Sequence, residues 1–131
     1  MILIPSYKTL LGKWSEVVRE RDNHQCQLCR VAKQPGVVLV AHHIWGKGAY
    51  PNIRFLLANG ITLCQRGQYH GCHKEEAHQN IKAFKNWVRE RMGEEEWERL
   101  MLARRVMKVQ DRLTVKLILK EELRILVEGR R

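Results

Sequence analysis

Ala41-His42-His43-Ile44, followed by Asn59-Gly60-Ile61-Thr62-Leu63-Cys64 and then by Cys72-His73 with His78 five residues on, is the stretch whose reading decides the fold. It holds five of the six histidines and two of the four cysteines, so any metal chemistry in the chain centres here. Successive side chains on a strand point to opposite faces, and at most one of two adjacent histidines is therefore expected on a buried face. The other faces something polar. Imidazole beside imidazole suits one metal ligand and one neutral base, because both roles need a nitrogen lone pair near neutral pH. The β-branched run Val37-Val38-Leu39-Val40-Ala41 leads directly into His42 and predicts a strand with the pair at or near its end. Asn59-Gly60 predicts a turn, and Ile61 to Leu63 a second short strand ending at Cys64.

Upstream of this stretch, Leu10, Leu11, Trp14, Val17, Val18 and Arg21 fall at three- and four-residue spacings and predict a helix over 7–21 that packs inward through Trp14. Asp22-Asn23-His24 ends it. Cys26-x2-Cys29 follows as a tight turn, and Gln34-Pro35-Gly36 reads as a turn between short strands. Between the two strands, Gly46 to Asn52 is a loop rich in glycine and proline, long enough to move and carrying Lys47 where a phosphate could meet it. Downstream, 65–71 is polar and irregular. Cys72-His73 then opens one helix that reads on through Glu75, His78, Ile81, Phe84, Val88 and Met92 to a break at Gly93. Glu94-Glu95-Glu96 starts the next, its acids at the N-terminal end and Arg104, Arg105 and Lys108 towards the other, as the helix dipole favours. Its buried stripe is expected to be Trp97, Leu100, Met101 and Met107, with Ala103. Leu113 to Val127 fits both a strand alternation and a helical stripe (Val115, Leu119, Leu123, Leu126), and helix is favoured because Lys120 to Arg124 are good helix formers. The class is α+β.

The 24 Lys and Arg against 14 Asp and Glu give a formal charge of +10, spread along the chain and most one-sided in its first 60 residues. A small chain this basic points to a polyanion. Nucleic acid is preferred over membrane because no segment approaches the roughly 18 apolar residues that a span needs. Met1 to Ser6 is too short for a secretory signal and lacks a basic start, so a cytoplasmic protein is expected. In that reducing compartment, four cysteines read better as thiolates on a metal than as two disulfides. Cys26-x2-Cys29 and Cys64-x7-Cys72 form two halves of a tetrahedral structural Zn²⁺ site. A redox reading of the first half lacks the βαβ pattern that it needs.

Arg21-Asp22-Asn23-His24-Gln25-Cys26-x2-Cys29, His42-His43-Ile44, Asn59 with Ile61 and Leu63-Cys64, and Cys72-His73 together resemble the HNH endonucleases in their four-cysteine, ββα-metal form. The resemblance covers residues 14 to 80. It implies a zinc-stabilised ββα-metal core with an N-terminal helix over 1–80, and a C-terminal helical extension packed on that core over 81–131. His42, where many members have Asp, would bind the catalytic divalent metal, and His43 would be the general base. Asn59 would hold the loop between the strands and keep His43 aimed; His73 would be the second metal ligand; the cysteines would be structural. The family's usual gap between the last two cysteines is only two residues. The longer gap here leaves His70 as an alternative to Cys72, which is preferred because it directly precedes the expected helix.

Residues five apart on a regular helix differ by about 140° in direction, so His73 and His78 are not expected to share one ion, and His78 is read as an outer or phosphate-facing group. Glu75 and Glu76 are read as helix N-terminal acids first and outer groups second. The implied function is a metal-dependent endonuclease that nicks or cuts DNA by a one-metal mechanism, leaving a 3′-hydroxyl and a 5′-phosphate, with Mg²⁺, Mn²⁺, Co²⁺ or Ni²⁺ at the catalytic site. Lys47, Arg54, Arg66 and Lys74 are the basic residues expected to meet DNA. The alternatives are a non-catalytic zinc module that binds nucleic acid and an adaptor in a DNA-handling assembly. Small HNH proteins of this kind are often phage-encoded, which would place the chain in the host cytoplasm with phage DNA-processing or packaging proteins as further partners.

Overall fold

The computed structural model describes residues 3–68 and 70–130; Met1 and Ile2 of the leader reading, Tyr69 of the 65–71 segment and Arg131 of the expected extension lie outside them. Helix α1 (Tyr7–Arg21) starts where Ser6 accepts a hydrogen bond from the Thr9 amide at 3.1 Å, satisfying one of the first-turn donors. Leu10, Trp14, Val17 and Val18 are its buried stripe. It ends at Asp22, and Asn23 and His24 take positive φ values of 57° and 52° to reverse the chain. Asp22 is buried but not orphaned. Arg21 donates to both of its oxygens, and the Thr62 amide donates to Oδ2 at 2.9 Å, tying the helix end to the second strand.

Strands β1 (Val38–His43) and β2 (Gly60–Gln65) pair antiparallel, Val38 opposite Gln65 and His43 opposite Gly60. The sheet has a helix on each face. Ala41, His43 and Gly60 meet α1, while Ile61 and Leu63 join Phe84 and Val88 of α2 (Ile81–Met92) on the other side. The histidine pair thus splits across the sheet, and both rings are half-buried, where only one was expected inside. The turn at Gln34 to Gly36 closes an isolated bridge between Gln34 and Val37, with no regular strand before it.

Asn59-Gly60 is not a turn: Asn59 ends a short 3₁₀ segment (Leu57–Asn59), and Gly60 is extended at φ −119° as the first residue of β2. Glycine is required there by packing. A Cβ would sit 2.6 Å from Trp14 Cζ2 and 2.7 Å from Val18 Cγ2. Because the backbone conformation suits any residue, Gly60→Ala isolates this steric cost, and urea denaturation is expected to show a loss of about 1–3 kcal/mol from overpacking. An alanine variant as stable as the parent would mean that Trp14 has room to move.

The single helix expected from Cys72 to Met92 is two elements. A π-helical turn (His73–His78) is followed by a break at Gln79-Asn80, and only then does α2 begin, which leaves Ile81 exposed and not on the buried stripe. Helix α3 (Glu94–Val106) buries Trp97 and Leu100, but it stops before Met107 and Lys108, which were expected inside it. Arg112–Glu128 is helical (α4), resolving the ambiguous stretch; Asp111 caps it by accepting from the Thr114 amide at 3.0 Å. Val115 and Leu119 pack with Leu10, Trp14, Val17 and Val18 of α1 in one core cluster, while Trp97 shares the other with the sheet and α2. Among the described residues no helix is long and apolar enough to cross a membrane.

Candidate metal centre and histidine pocket

Two groups of metal-ligating side chains lie on the sheet and its flanks. In the first, the sulfurs of Cys26, Cys29, Cys64 and Cys72 all lie within 4.8 Å of one another. Sulfurs at about 2.3 Å from a tetrahedral ion stand about 3.8 Å apart, and Cys29 Sγ is 3.6 Å from Cys64 Sγ. The donor set therefore fits one zinc ion. Backbone amides of Cys29 and Cys72 donate to the sulfurs of Cys26 and Cys64 at 3.5 and 3.4 Å. Burial raises the Cys26 thiol, and burial followed by the charge of Cys26 raises Cys72. At Cys29 burial also opposes ionisation, but the Val31 amide and the neighbouring thiols outweigh it and bring the group down to about 7. Four thiols this close cannot all ionise unaided. A divalent ion removes that conflict.

The long Cys64-to-Cys72 gap is a closed loop. The Arg66 amide donates to His70 O at 2.9 Å, and Gly71, at φ 97°, passes so close to β2 that a Cβ would lie 2.7 Å from Cys64 O. Cys72 returns beside Cys64 by this route. His70, the alternative fourth ligand, is exposed and 3.5 Å from Glu75 and is outside the sulfur group. Glu75 also accepts from the Gly71 amide at 3.1 Å, the role of a helix N-terminal acid.

The second group is His42, His73 and His78, whose ring nitrogens also lie within 4.8 Å of one another. The expectation that His73 and His78 point apart is corrected by the π-helical turn. Its wider winding carries the fifth residue round to the same side, where His78 Nε2 is 3.0 Å from His73 Nε2. The ring of His42 meets both edge-on at 5.1 Å and rests against Phe84. His73 Nδ1 donates to Gln65 Oε1 at 3.2 Å, which leaves its Nε2 lone pair facing the group. Burial, then the neighbouring charges of His73 and His78, pushes His42 down to about 3; burial and His78 push His73 down to about 4. Both are neutral at pH 7. Three imidazoles whose ring nitrogens converge on one point fit a divalent ion.

His43 lies on the other face of the sheet. Its ring stacks on Trp14 at 4.0 Å between centroids and 11° between planes, and Nε2 donates to Arg54 O at 2.9 Å. A carbonyl only accepts, so Nε2 carries the proton and Nδ1 keeps the lone pair. Burial lowers the pKa of His43, partly offset by that hydrogen bond. Asn59, fully buried, accepts from Trp45 N at 2.8 Å and donates to Trp45 O at 3.0 Å and Ile53 O at 3.4 Å. It ties the chain just after His43 to the start of β2 and does not itself line the pocket, so it is a positioning residue.

The pocket above the histidines has a volume of about 480 Å³ and is lined by His42, His43, Lys47, His73, His78 and Lys85 among others. Of the four basic residues expected to meet a phosphate, only Lys47 lines it. Arg54 lays its guanidinium over Tyr7 at 3.8 Å and is half-buried; Arg66 is exposed at the cysteine cluster, 3.7 Å from Cys29 Sγ; Lys74 is half-buried on the π-helical turn. Sequence reasoning missed Lys85, whose only signal is its place seven residues after His78. It also missed Asn52, which donates to Arg104 O at 2.9 Å and Met107 O at 3.0 Å. That clamp fastens the far end of the 46–52 loop to the C-terminus of α3, so the loop is anchored where free movement was expected.

If both His73 and His78 serve one ion, alanine at either is expected to weaken Mn²⁺ or Co²⁺ binding at this site at least about tenfold, to a similar degree. Calorimetric titration reads this without any turnover. A His78→Ala protein that titrates like the parent would restore the earlier two-ligand reading.

Comparison with protein-family models, with curated proteins and with solved structures finds no match.

Proposed function

We propose that the chain is a metal-dependent DNA endonuclease of the HNH type. In this reading β1, β2 and the helical segment from His73 to Met92 form the ββα-metal unit, and the four cysteines hold a structural zinc that fixes its ends. One observation carries the proposal: a site for a cation made of three converging imidazoles stands beside a fourth imidazole with its own free lone pair, in a pocket that also holds two lysines. A binding module needs no such pairing of ligand and base. Four free thiols suit a reducing cytoplasm.

When bound, a divalent ion supplies Lewis-acid stabilisation of the charge that develops on phosphate and leaving oxygen. The chain's own residues do the rest. His43 Nδ1 takes the proton of the attacking water, and the Arg54 carbonyl holds the ring in the tautomer that leaves Nδ1 free. Asn59 keeps Trp45, and through it the end of β1, in register. Gln65 fixes the His73 ring so that Nε2 faces His42 and His78. An all-nitrogen donor set favours Co²⁺ or Ni²⁺ most, with Mn²⁺ weaker, over Mg²⁺, which prefers oxygen.

A duplex oligonucleotide labelled at one end tests the chemistry. Incubated with the protein and Mn²⁺, it is expected to give fragments with 3′-hydroxyl and 5′-phosphate ends, and none when EDTA is present. Intact duplex under every ion would leave the non-catalytic zinc module as the better reading.

A further inference from the structure

Lys85 is a half-buried cation with no acidic partner among the described residues. It lines the histidine pocket from α2, and its Nζ stands 4.0 Å from the centre of the Trp45 ring. Arg104 approaches the same ring at 4.3 Å. No carboxylate lines the pocket among the described residues, and neither Lys85 nor Lys47 takes part in an ion pair there. Among the described residues only Lys13, Arg21, Arg89, Arg99, Arg124 and Arg130 of the lysines and arginines hold a carboxylate. What sets Lys85 apart from the other unpaired ones is its half-buried place in the pocket against Trp45. Burial and the Arg104 charge both disfavour the Lys85 ammonium. The Trp45 face and solvent offset part of that cost, and an anion entering the pocket would offset more of it.

We infer that Lys85 binds a non-bridging oxygen of a nucleic-acid phosphate inside the histidine pocket, with the Trp45 face positioning its ammonium. The inference rests on the proposed nuclease reading for the identity of the polyanion, and the pocket's charge supports that choice. With a divalent ion at the three histidines and two lysines beside it, the pocket presents about four positive charges and no negative one. A single phosphodiester carries one negative charge, so a strand that passes two or more phosphates through the pocket matches it better than a mononucleotide. The Trp45 face holds the ammonium in the pocket, and its N–H donors that point away from the ring are left for phosphate oxygens.

The test uses the full zinc-loaded chain with Lys85→Gln, Lys85→Met and Lys85→Arg, each checked for folding by thermal denaturation. Affinity for a labelled duplex is measured across salt concentrations with no divalent ion added, and single-turnover cleavage is measured separately with Mn²⁺. Loss of one phosphate contact lowers the slope of log affinity against log salt by about one. Lys85→Gln is expected to show that drop and to cleave about 10- to 100-fold more slowly, while Lys85→Arg keeps the slope. Lys85→Met preserves the packing on Trp45 and serves if the glutamine variant does not fold. A parental salt slope in the neutral variants overturns the inference, whatever their cleavage rates. A lowered slope in a protein whose parent cuts nothing keeps the phosphate contact and removes the nuclease reading instead.

Discussion

His43→Ala is expected to slow DNA cleavage by about 10² to 10⁴ while leaving affinity for duplex DNA within about twofold of the parent. Its Nδ1 keeps a free lone pair, since Nε2 is committed to the Arg54 carbonyl, His43 lines the pocket, and a base that removes a proton in the transition state adds little to ground-state binding. Binding energy comes from lysine and arginine on phosphates, which this substitution does not touch. The ring also stacks on Trp14, so the variant loses some packing, and cleavage is to be compared at a temperature where both proteins are folded. His43→Gln keeps more of the contact with Trp14 and offers no base; it is expected to be equally inactive. Parental rates in either variant would remove His43 from the reaction.

Removal of one buried zinc ligand is expected to cost the fold. Cys26 and Cys64 are fully buried and belong to the same core cluster as Leu39, Ile61, Leu63 and Phe84, so a zinc ion on the four cysteines would sit within the core that the sheet and α2 share. Structural zinc contributes about 10–16 kcal/mol of apparent binding energy in small zinc domains, as much as the whole stability of a typical domain. Cys26→Ser or Cys64→Ser is therefore expected to leave the chain largely unfolded by circular dichroism at 37 °C. Metal analysis of the parent, purified without added zinc, should find about one zinc per chain. Cys29, which is exposed, is the milder site: Cys29→Ser should weaken zinc retention before it unfolds the protein. A folded parent free of zinc, or one with stoichiometric disulfides, would contradict this.

The limits of α1 were legible because its stripe is regular and Asp22-Asn23-His24 ends it, while the cap at Ser6 came to light only in the structure. The cysteine cluster was legible because thiols in such pairs have few other uses. Asn59 was legible as a brace only through family resemblance, and the hydrogen bonds to Trp45 supply its physical reason. What stayed hidden depends on contacts distant in sequence or on rare backbone states. Nothing local marks a π-helical turn, and the five-residue spacing of His73 and His78 argued against the arrangement that the turn produces. The glycine after Asn59 imitated a turn signal, although Trp14, 46 positions earlier, is what forbids a side chain there. Lys85 and Asn52 act across the fold, on Trp45 and on the end of α3, and a single chain read in order has no sign of either partner.

Cleavage of supercoiled plasmid tests the central claim most directly. The parent and His43→Ala are stripped of loosely held metal, and Mg²⁺, Mn²⁺, Co²⁺, Ni²⁺ or Zn²⁺ is returned to each separately. The expected result is conversion to nicked or linear plasmid by the parent with at least one of Mn²⁺, Co²⁺ and Ni²⁺, abolished by EDTA and reduced at least about a hundredfold in His43→Ala. Intact supercoiled plasmid with the parent under every ion, or equal cleavage by both proteins, would contradict it.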